Sequence, residues 1–239
     1  MEDPKTNVVV PPGISGRKPV YKPENQTLAN VADELALLSL GDCEPLTWKI
    51  DQGAFMHEIK QFDSEWVDYL PRTDRVNSRK ALALTNLPGM THRDNPSHGQ
   101  ACYAAGRYIK EEEFCVPTDV YKACPSLHNL LDTFAPLGRT FLVKCGTGGY
   151  FVPHRDHPAS PRDSLRIIVF LNNCDTYEYD WIFGADNKIP IEMGRAYYAN
   201  TKKTHRTISW VDESIHLIIN VPFTSENVSK VIANLKHPH

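Results

Sequence analysis

From Gly138 onward this 239-residue chain breaks into short runs of β-branched and aromatic residues, parted by clusters of Gly, Pro, Asn and Asp. The runs are Arg139–Cys145 (RTFLVKC), Leu165–Leu171 (LRIIVFL), Tyr177–Phe183, Ala196–Ala199, His205–Val211 and Ile215–Val221. Strands this short, with turn residues at this spacing, predict an antiparallel sandwich or barrel. The first half reads differently. Val31, Leu35 and Leu38 recur at helical spacing within Asn30–Leu40, and Phe55, Ile59, Phe62, Trp66 and Leu70 form a second stripe over residues 55–70. A third helix is expected over Ser126–Leu137, with Ser126 as its N-cap. Residues 1–28 carry five prolines and few large apolar side chains, and read as an extended or disordered arm. The expected organisation is that arm followed by one domain over 29–239, mainly β with flanking helices, its β-rich core at about 139–222.

Composition narrows the partners. Hydrophobic residues make up 41% of the chain and charged residues 23%, enough to bury a full core. The net charge of −3 gives no overall positive field, so no nucleic-acid partner is expected. No apolar run approaches the roughly 18–20 residues that span a bilayer, so no membrane partner is expected. The start of the sequence lacks a basic segment followed by an apolar one, and the six cysteines contain no CxxC pair. Free, buried or half-buried thiols in a reducing, cytoplasmic setting follow as the expectation.

The chemistry rests on His-x-Asp. In extended backbone residues i and i+2 point the same way, so both side chains reach one ion, and a third ligand must come from another strand. Two histidines and one carboxylate, with open positions beside them, suit non-haem Fe(II) and O2 chemistry. About one His-x-acid match is expected by chance in this composition, and the chain holds two, His92-Arg93-Asp94 and His154-Arg155-Asp156. Context separates them. His92 sits in LPGMTHRDNPSHGQ, a loop-like string, and reads as a solvated turn or a substrate-entrance loop. His154 ends KCGTGGYFVPHRDHP, with a strand before it, glycines that allow close backbone approach, and a strand after it. For the third ligand, His205 follows a polar turn and begins a strand. His216 lies inside an apolar strand and reads as a core or neighbouring histidine, and His157 as a loop residue.

The string YFVPHRDHP…LRIIVFLNN…GRAYYANTKKTHRTISW…IHLIINV resembles the Fe(II)/2-oxoglutarate-dependent dioxygenases, and within them the aspartyl/asparaginyl and prolyl β-hydroxylase-like group. The resemblance covers about residues 79–222, with SRKALALTN at Ser78–Asn86 as a fainter upstream echo. It implies a double-stranded β-helix, the distorted, cupin-like jelly roll. It implies a metal triad of His154, Asp156 and His205, with Fe(II), the co-substrate 2-oxoglutarate and O2, and oxidative decarboxylation to succinate and CO2 coupled to hydroxylation of an unactivated C–H bond. Arg166 is the candidate to grip a 2-oxoglutarate carboxylate bidentately, against the plainer reading of a strand arginine paired at the surface. Arg79 is a further candidate contact to substrate or 2-oxoglutarate.

The chain departs from the family in one place. A basic residue is expected nine to eleven positions after the distal histidine, where Ser214, Ile215 and His216 stand. Ser214 and His216 share a strand face, so a hydroxyl and an imidazolium are the expected substitutes, with Arg166 or Lys144 as alternatives. Asn200 and Thr204 are candidates to orient His205, or a simple turn. Trp181, Tyr150 and Tyr197 line a pocket or fill the core; Lys110–Glu113 reads as a solvated face, and Lys202-Lys203 as an exposed turn or a lure for acidic substrates. The implied substrate is an amino-acid side chain, free or within a peptide or protein; nothing in the string selects one amino acid or sets an oligomeric state. Two other classes compete. A cupin-type metalloenzyme needs a His-x-His pair that HRDH does not give, and a non-enzymatic jelly-roll binding module is favoured by the missing distal arginine.

Overall fold

A computed structural model describes residues 28–69, 79–95, 97–156 and 164–236. In chain order the elements are α1 (Leu28–Ser39), β1 (Cys43–Lys49), α2 (Gln52–Ile59), β2 (Val67–Asp68), β3 (Arg79–Ala83), β4 (Thr85–Asn86), α3 (His98–Ala105), β5 (Val116–Pro117), α4 (Asp119–Ala123) and α5 (His128–Leu131). Then follow β6 (Phe141–Cys145), β7 (Tyr150–His154), β8 (Ser164–Asn172), β9 (Tyr179–Phe183), β10 (Asn187–Lys188), β11 (Arg195–Ala199), β12 (His205–Ser209), β13 (Ser214–Pro222) and α6 (Ser225–Ala233). The wide sheet has the order β1-β11-β8-β13-β6-β3-β2 and the narrow one β10-β9-β12-β7; β4 and β5 form a small separate pair. From β6 to β13 the chain winds between the two large sheets, giving β6, β8, β11 and β13 to one and β7, β9, β10 and β12 to the other, antiparallel throughout. That is the double-stranded β-helix, its eight strands running from Phe141 to Pro222, with β1, β2 and β3 extending the wide sheet.

The continuous apolar run of β8 follows from burial on both faces. Leu165, Ile167, Val169 and Leu171 pack with the helices, together with Leu217, Ile219 and Val221 of β13. The alternate residues Ile168, Phe170 and Ile218 face inward with Trp181, Phe183 and Tyr197. Each such side chain removed from water contributes about 1.5–3 kcal/mol. The helices thus form a back wall, and the space between the two sheets is left for the site.

The structure corrects several expectations upstream. Leu37, not the stripe, anchors α1: Val31, Leu35 and Leu38 are 43%, 61% and 43% exposed. The helix over 55–70 ends at Ile59, starts at an N-cap on Asp51, and gives way to a single 3-10 turn; Val67 and Asp68 are then drawn into the sheet by pairing with Ala81 and Lys80. Phe55, Ile59, Phe62 and Trp66 are nonetheless buried, and Leu70 lies outside the described residues. Over Ser126–Leu137 the chain alternates 3-10 and α turns, and Ser126 is no cap: its N–H and hydroxyl both bond the Glu58 carboxylate. The arm at 1–28 lies outside the described residues except Leu28, which begins α1. Lys110–Glu113 is not wholly solvated, because Glu111 is buried and accepts from the Arg139 N–H at 3.0 Å. Among the described residues no helix is long and apolar enough to cross a membrane. All six cysteines are free, with Cys102, Cys124, Cys145 and Cys174 buried, Cys43 half-buried and Cys115 exposed.

Candidate metal centre

β7 ends on His154 and β12 begins on His205, and the antiparallel register sets the two opposite each other. Asp156 follows two residues on. One ligand atom from each of His154, Asp156 and His205 lies within 4.8 Å of the others. His154 Nδ1 is 2.7 Å from the Val152 carbonyl and His205 Nδ1 is 3.0 Å from the Lys203 carbonyl. A carbonyl only accepts, so each Nδ1 carries the hydrogen and each Nε2 keeps its lone pair for a metal. His154 Nε2 is 3.5 Å from Asp156 Oδ1. The fit to a divalent ion is therefore set by both tautomers as well as by proximity.

Electrostatics agree. Burial pushes the His205 imidazole down to about 4, so it is neutral at pH 7. Trp181 stacks on it with ring centroids 5.7 Å apart and planes 7° from parallel. His154 is drawn above its ordinary value by the Asp156 carboxylate, against the opposing effect of burial. Burial alone would raise the Asp156 carboxyl; the Arg166 guanidinium, aided by the flanking imidazoles, more than offsets it and holds the group well below the usual carboxylate range.

The turn at residues 200–204 joins the two halves of the triad. Its Thr201 carbonyl accepts from the Asp156 N–H at 2.9 Å, its Lys203 carbonyl orients His205, and Thr204 Oγ1 accepts from Arg155 Nε at 3.0 Å. Asp42 clamps the turn: its carbonyl accepts from the Asn200 N–H at 2.8 Å, and its carboxylate takes Lys203 Nζ at 2.5 Å and Asn187 Nδ2 at 2.7 Å. The hydrogen bond that orients the His205 ring thus comes from the Lys203 main chain. Lys203 is committed to Asp42 rather than offered to an acidic substrate. Nothing in the sequence flagged Asp42, because its role arises only from the sheet order.

Arg166 is no surface arginine. It faces inward near the start of β8, makes an ion pair with Asp156 Oδ2, and donates through Nε to Asn220 Oδ1 at 3.0 Å. His216 and Ser214 do share the inward face of β13, but not as expected. Ser214 Oγ donates to the Asn173 carbonyl at 2.6 Å and lies 2.7 Å from Ser209 Oγ, so its hydrogen is spent. His216 is 2% exposed, lies against the Phe170, Tyr179 and Trp181 rings, and is pushed by burial down to about 3; it is a neutral imidazole, not an imidazolium. Lys144 is ruled out of the interior. It alternates with Val143 and Cys145 to the helix side of β6, where it pairs with Glu213 at 2.9 Å and lies 4.6 Å over the Trp66 ring. Arg79, at the start of β3, has its guanidinium 4.1 Å from the Phe151 ring centroid and 6.0 Å from that of Tyr69.

The second HRD string is structural. His92 bonds Glu65 at 2.6 Å and meets Phe62 edge-on, while Asp94 accepts from the Thr91 N–H and hydroxyl. The expected solvated turn holds for Arg93 and Asp94 but not for the half-buried His92. Tyr197 packs inside and bonds the Pro190 carbonyl, Tyr150 is 40% exposed, and His157 lies outside the described residues.

No family model matches the sequence, and no curated protein matches it. Solved structures give loose similarities. An oxidoreductase of the 2OG-Fe(II) oxygenase family from Burkholderia pseudomallei is 12% identical, with a TM-score of 0.42, covering 83% of this chain and 91% of that one. A Pseudomonas putida prolyl-4-hydroxylase is 10% identical, with a TM-score of 0.43, over 82% of this chain and 100% of that one. A Trichoplax adhaerens prolyl hydroxylase, in complex with a hypoxia inducible factor oxygen degradation domain peptide fragment, is 8% identical, with a TM-score of 0.45, over 84% and 94%.

Proposed function

We propose that this chain is an Fe(II)- and 2-oxoglutarate-dependent dioxygenase, a single catalytic domain over 29–239. It hydroxylates a C–H bond of an amino-acid side chain, free or within a peptide or protein, and releases succinate and CO2. The observation that carries the reading is the triad, in which two imidazole Nε2 lone pairs and one half-buried carboxylate gather at the strand ends of a double-stranded β-helix. This donor set suits Fe(II) with coordination positions left for a keto acid and O2.

When bound, iron and the keto acid supply the oxygen activation and the oxidative decarboxylation. The chain's own residues do the rest. His154, Asp156 and His205 would hold the ion, and His205 does so without losing a proton. Arg166, fixed by Asn220 and lying against Asp156, would pair with a carboxylate of the keto acid. Ile168, Ile218 and Phe183 give the interior an apolar wall that excludes water. The free thiols fit a reducing compartment, which supports a cytoplasmic placement.

The test is an anaerobic titration of the protein with Fe(II) and 2-oxoglutarate, watching for a visible metal-to-ligand charge-transfer band, then a screen of free amino acids and peptides for succinate release in air. The expected result is a band that Asp156→Ala abolishes. A wild-type protein that binds neither the ion nor the keto acid overturns the proposal.

A further inference from the structure

From each histidine of the triad a ring contact leads further into the sandwich. His154 lies 6.2 Å from Phe151, whose ring carries the Arg79 guanidinium at 4.1 Å. His205 stacks on Trp181, which meets His216 edge-on at 6.0 Å. Both paths end on groups suited to an anion. Arg79 supplies a planar cation. His216 Nδ1 and Trp181 Nε1 are buried and find no hydrogen-bond partner among the described residues. Buried polar atoms left this way call for a partner, an ordered water or a ligand.

We propose that Arg79, on a strand outside the eight of the β-helix, holds the far carboxylate of a dicarboxylic keto acid, with His216 and Trp181 as neutral partners beside it. This rests on the dioxygenase reading above and names the residue that gives its site a preference for a second negative charge. The reasoning is one of charge matching. A carboxylate carried into a water-poor interior needs a cation or several donors, since an unmatched charge there is costly. β13 offers no cation at the expected position, and Lys144 points to the helix side. Among the described residues three guanidinium groups lie against the inner rings or the triad. Arg166 lies against Asp156 and Asn220, at the metal end of the interior, where the chelating carboxylate belongs. Arg139 lies over Phe141, and its carbonyl holds Asn220 Nδ2, so it sits at the same end as Arg166. Arg79 belongs to the opposite end of the sheet, paired in register with Cys145, which in turn pairs with Ser214. Register thus puts it at the end of the sheet away from Asp156, where the far end of a chelated diacid would lie.

The experiment compares two keto acids on the metal-loaded protein. 2-Oxoglutarate carries the far carboxylate; 2-oxobutanoate has the same chelating end without it. Binding of each is measured anaerobically by the charge-transfer band with Fe(II), and by calorimetry with Mn(II), for wild type, Arg79→Ala and Arg79→Lys. The expected result is that Arg79→Ala weakens 2-oxoglutarate by about 10- to 100-fold, leaves 2-oxobutanoate and the metal within about two-fold, and is partly rescued by Arg79→Lys. Equal losses for both keto acids would make Arg79 merely structural and overturn the assignment; so would an Arg79→Ala protein with unchanged 2-oxoglutarate affinity. Wild type that binds the two acids equally well removes the charged pole but keeps the keto-acid chemistry. Wild type that binds neither removes the dioxygenase reading and this inference together.

Discussion

A histidine serves as a metal ligand only if its lone pair is available and its ring is kept from turning. His154 and His205 meet both conditions through backbone carbonyls, whereas His92, in an identical HRD string, spends its ring on Glu65 and Phe62. The difference was legible in the sequence, because glycines and strands surround one string and turn-formers the other. That His205 rather than His216 gathers with His154 and Asp156 was legible too, since His205 begins a strand at the rim while His216 lies within one. What the sequence hid was protonation, which depends on burial. It leaves His216 open between a core histidine and an imidazolium, and the Phe170, Tyr179 and Trp181 rings make it the neutral core one. A pH dependence follows. His154 has a raised pKa in the metal-free protein, so protons compete with the ion for it near neutrality, while His205 at about 4 does not compete. Divalent-ion affinity should rise from pH 6 to pH 8, with up to about one proton released per ion. Calorimetry with Mn(II) in buffers of different ionisation enthalpy measures that count, and a release of zero at pH 6 contradicts the assignment to His154. Asp156→Ala should weaken the ion by more than about 100-fold in the same assay.

Elements were legible where burial has one cause. β8 and β13 are covered on both faces, so their apolar runs stand out. β3 and β1 were missed for opposite reasons. RKALA looks helical because alanine and leucine favour helices, and it becomes a strand only by pairing with β6. CEPLTWK is interrupted by Pro45, tolerated because β1 is an edge strand of the wide sheet. The α1 stripe misled because helical periodicity says which residues share a face, not which face is covered. Two element junctions support predictions. Gly194 has φ +77°, donates to the Phe170 carbonyl and accepts from the Ile50 N–H, and a Cβ there would stand 2.6 Å from the Ile50 oxygen. Gly194→Ala should cost about 1–3 kcal/mol, seen as a lower urea midpoint with unchanged slope. Asp42→Ala releases the 200–204 turn and should weaken Mn(II) binding by about ten-fold while far-UV circular dichroism stays the same. A wild-type affinity in that variant would mean that the turn holds its shape without the clamp.

For the molecule as a whole, the two faces of the wide sheet do different work. The helix-side face is a dense apolar core, whereas the inner face carries the site's polar groups, buried and in part unpartnered. Such an interior ties stability to pH. His216 at about 3 and His205 at about 4 both titrate below the ordinary histidine value of 6.5. The unfolded chain therefore binds more protons than the folded one between about pH 6.5 and pH 4, and stability falls as pH drops through that window, each group contributing up to about 1.4 kcal/mol per pH unit. His154 has the opposite sign: its raised value adds stability that is complete below pH 6.5 and lost above its folded pKa, so it adds no slope in the lower window. Asp156, held low, contributes stability that is lost only below the ordinary carboxylate range near pH 4. The two buried histidines thus dominate between pH 6 and pH 4.5, ahead of acid unfolding by carboxylates. Urea midpoints of the metal-free protein should fall steeply over that interval, and His216→Gln, which cannot be protonated, should remove about half of the slope. A slope that survives this substitution intact would place the His216 ring in contact with water, and with it the inner half of the sandwich.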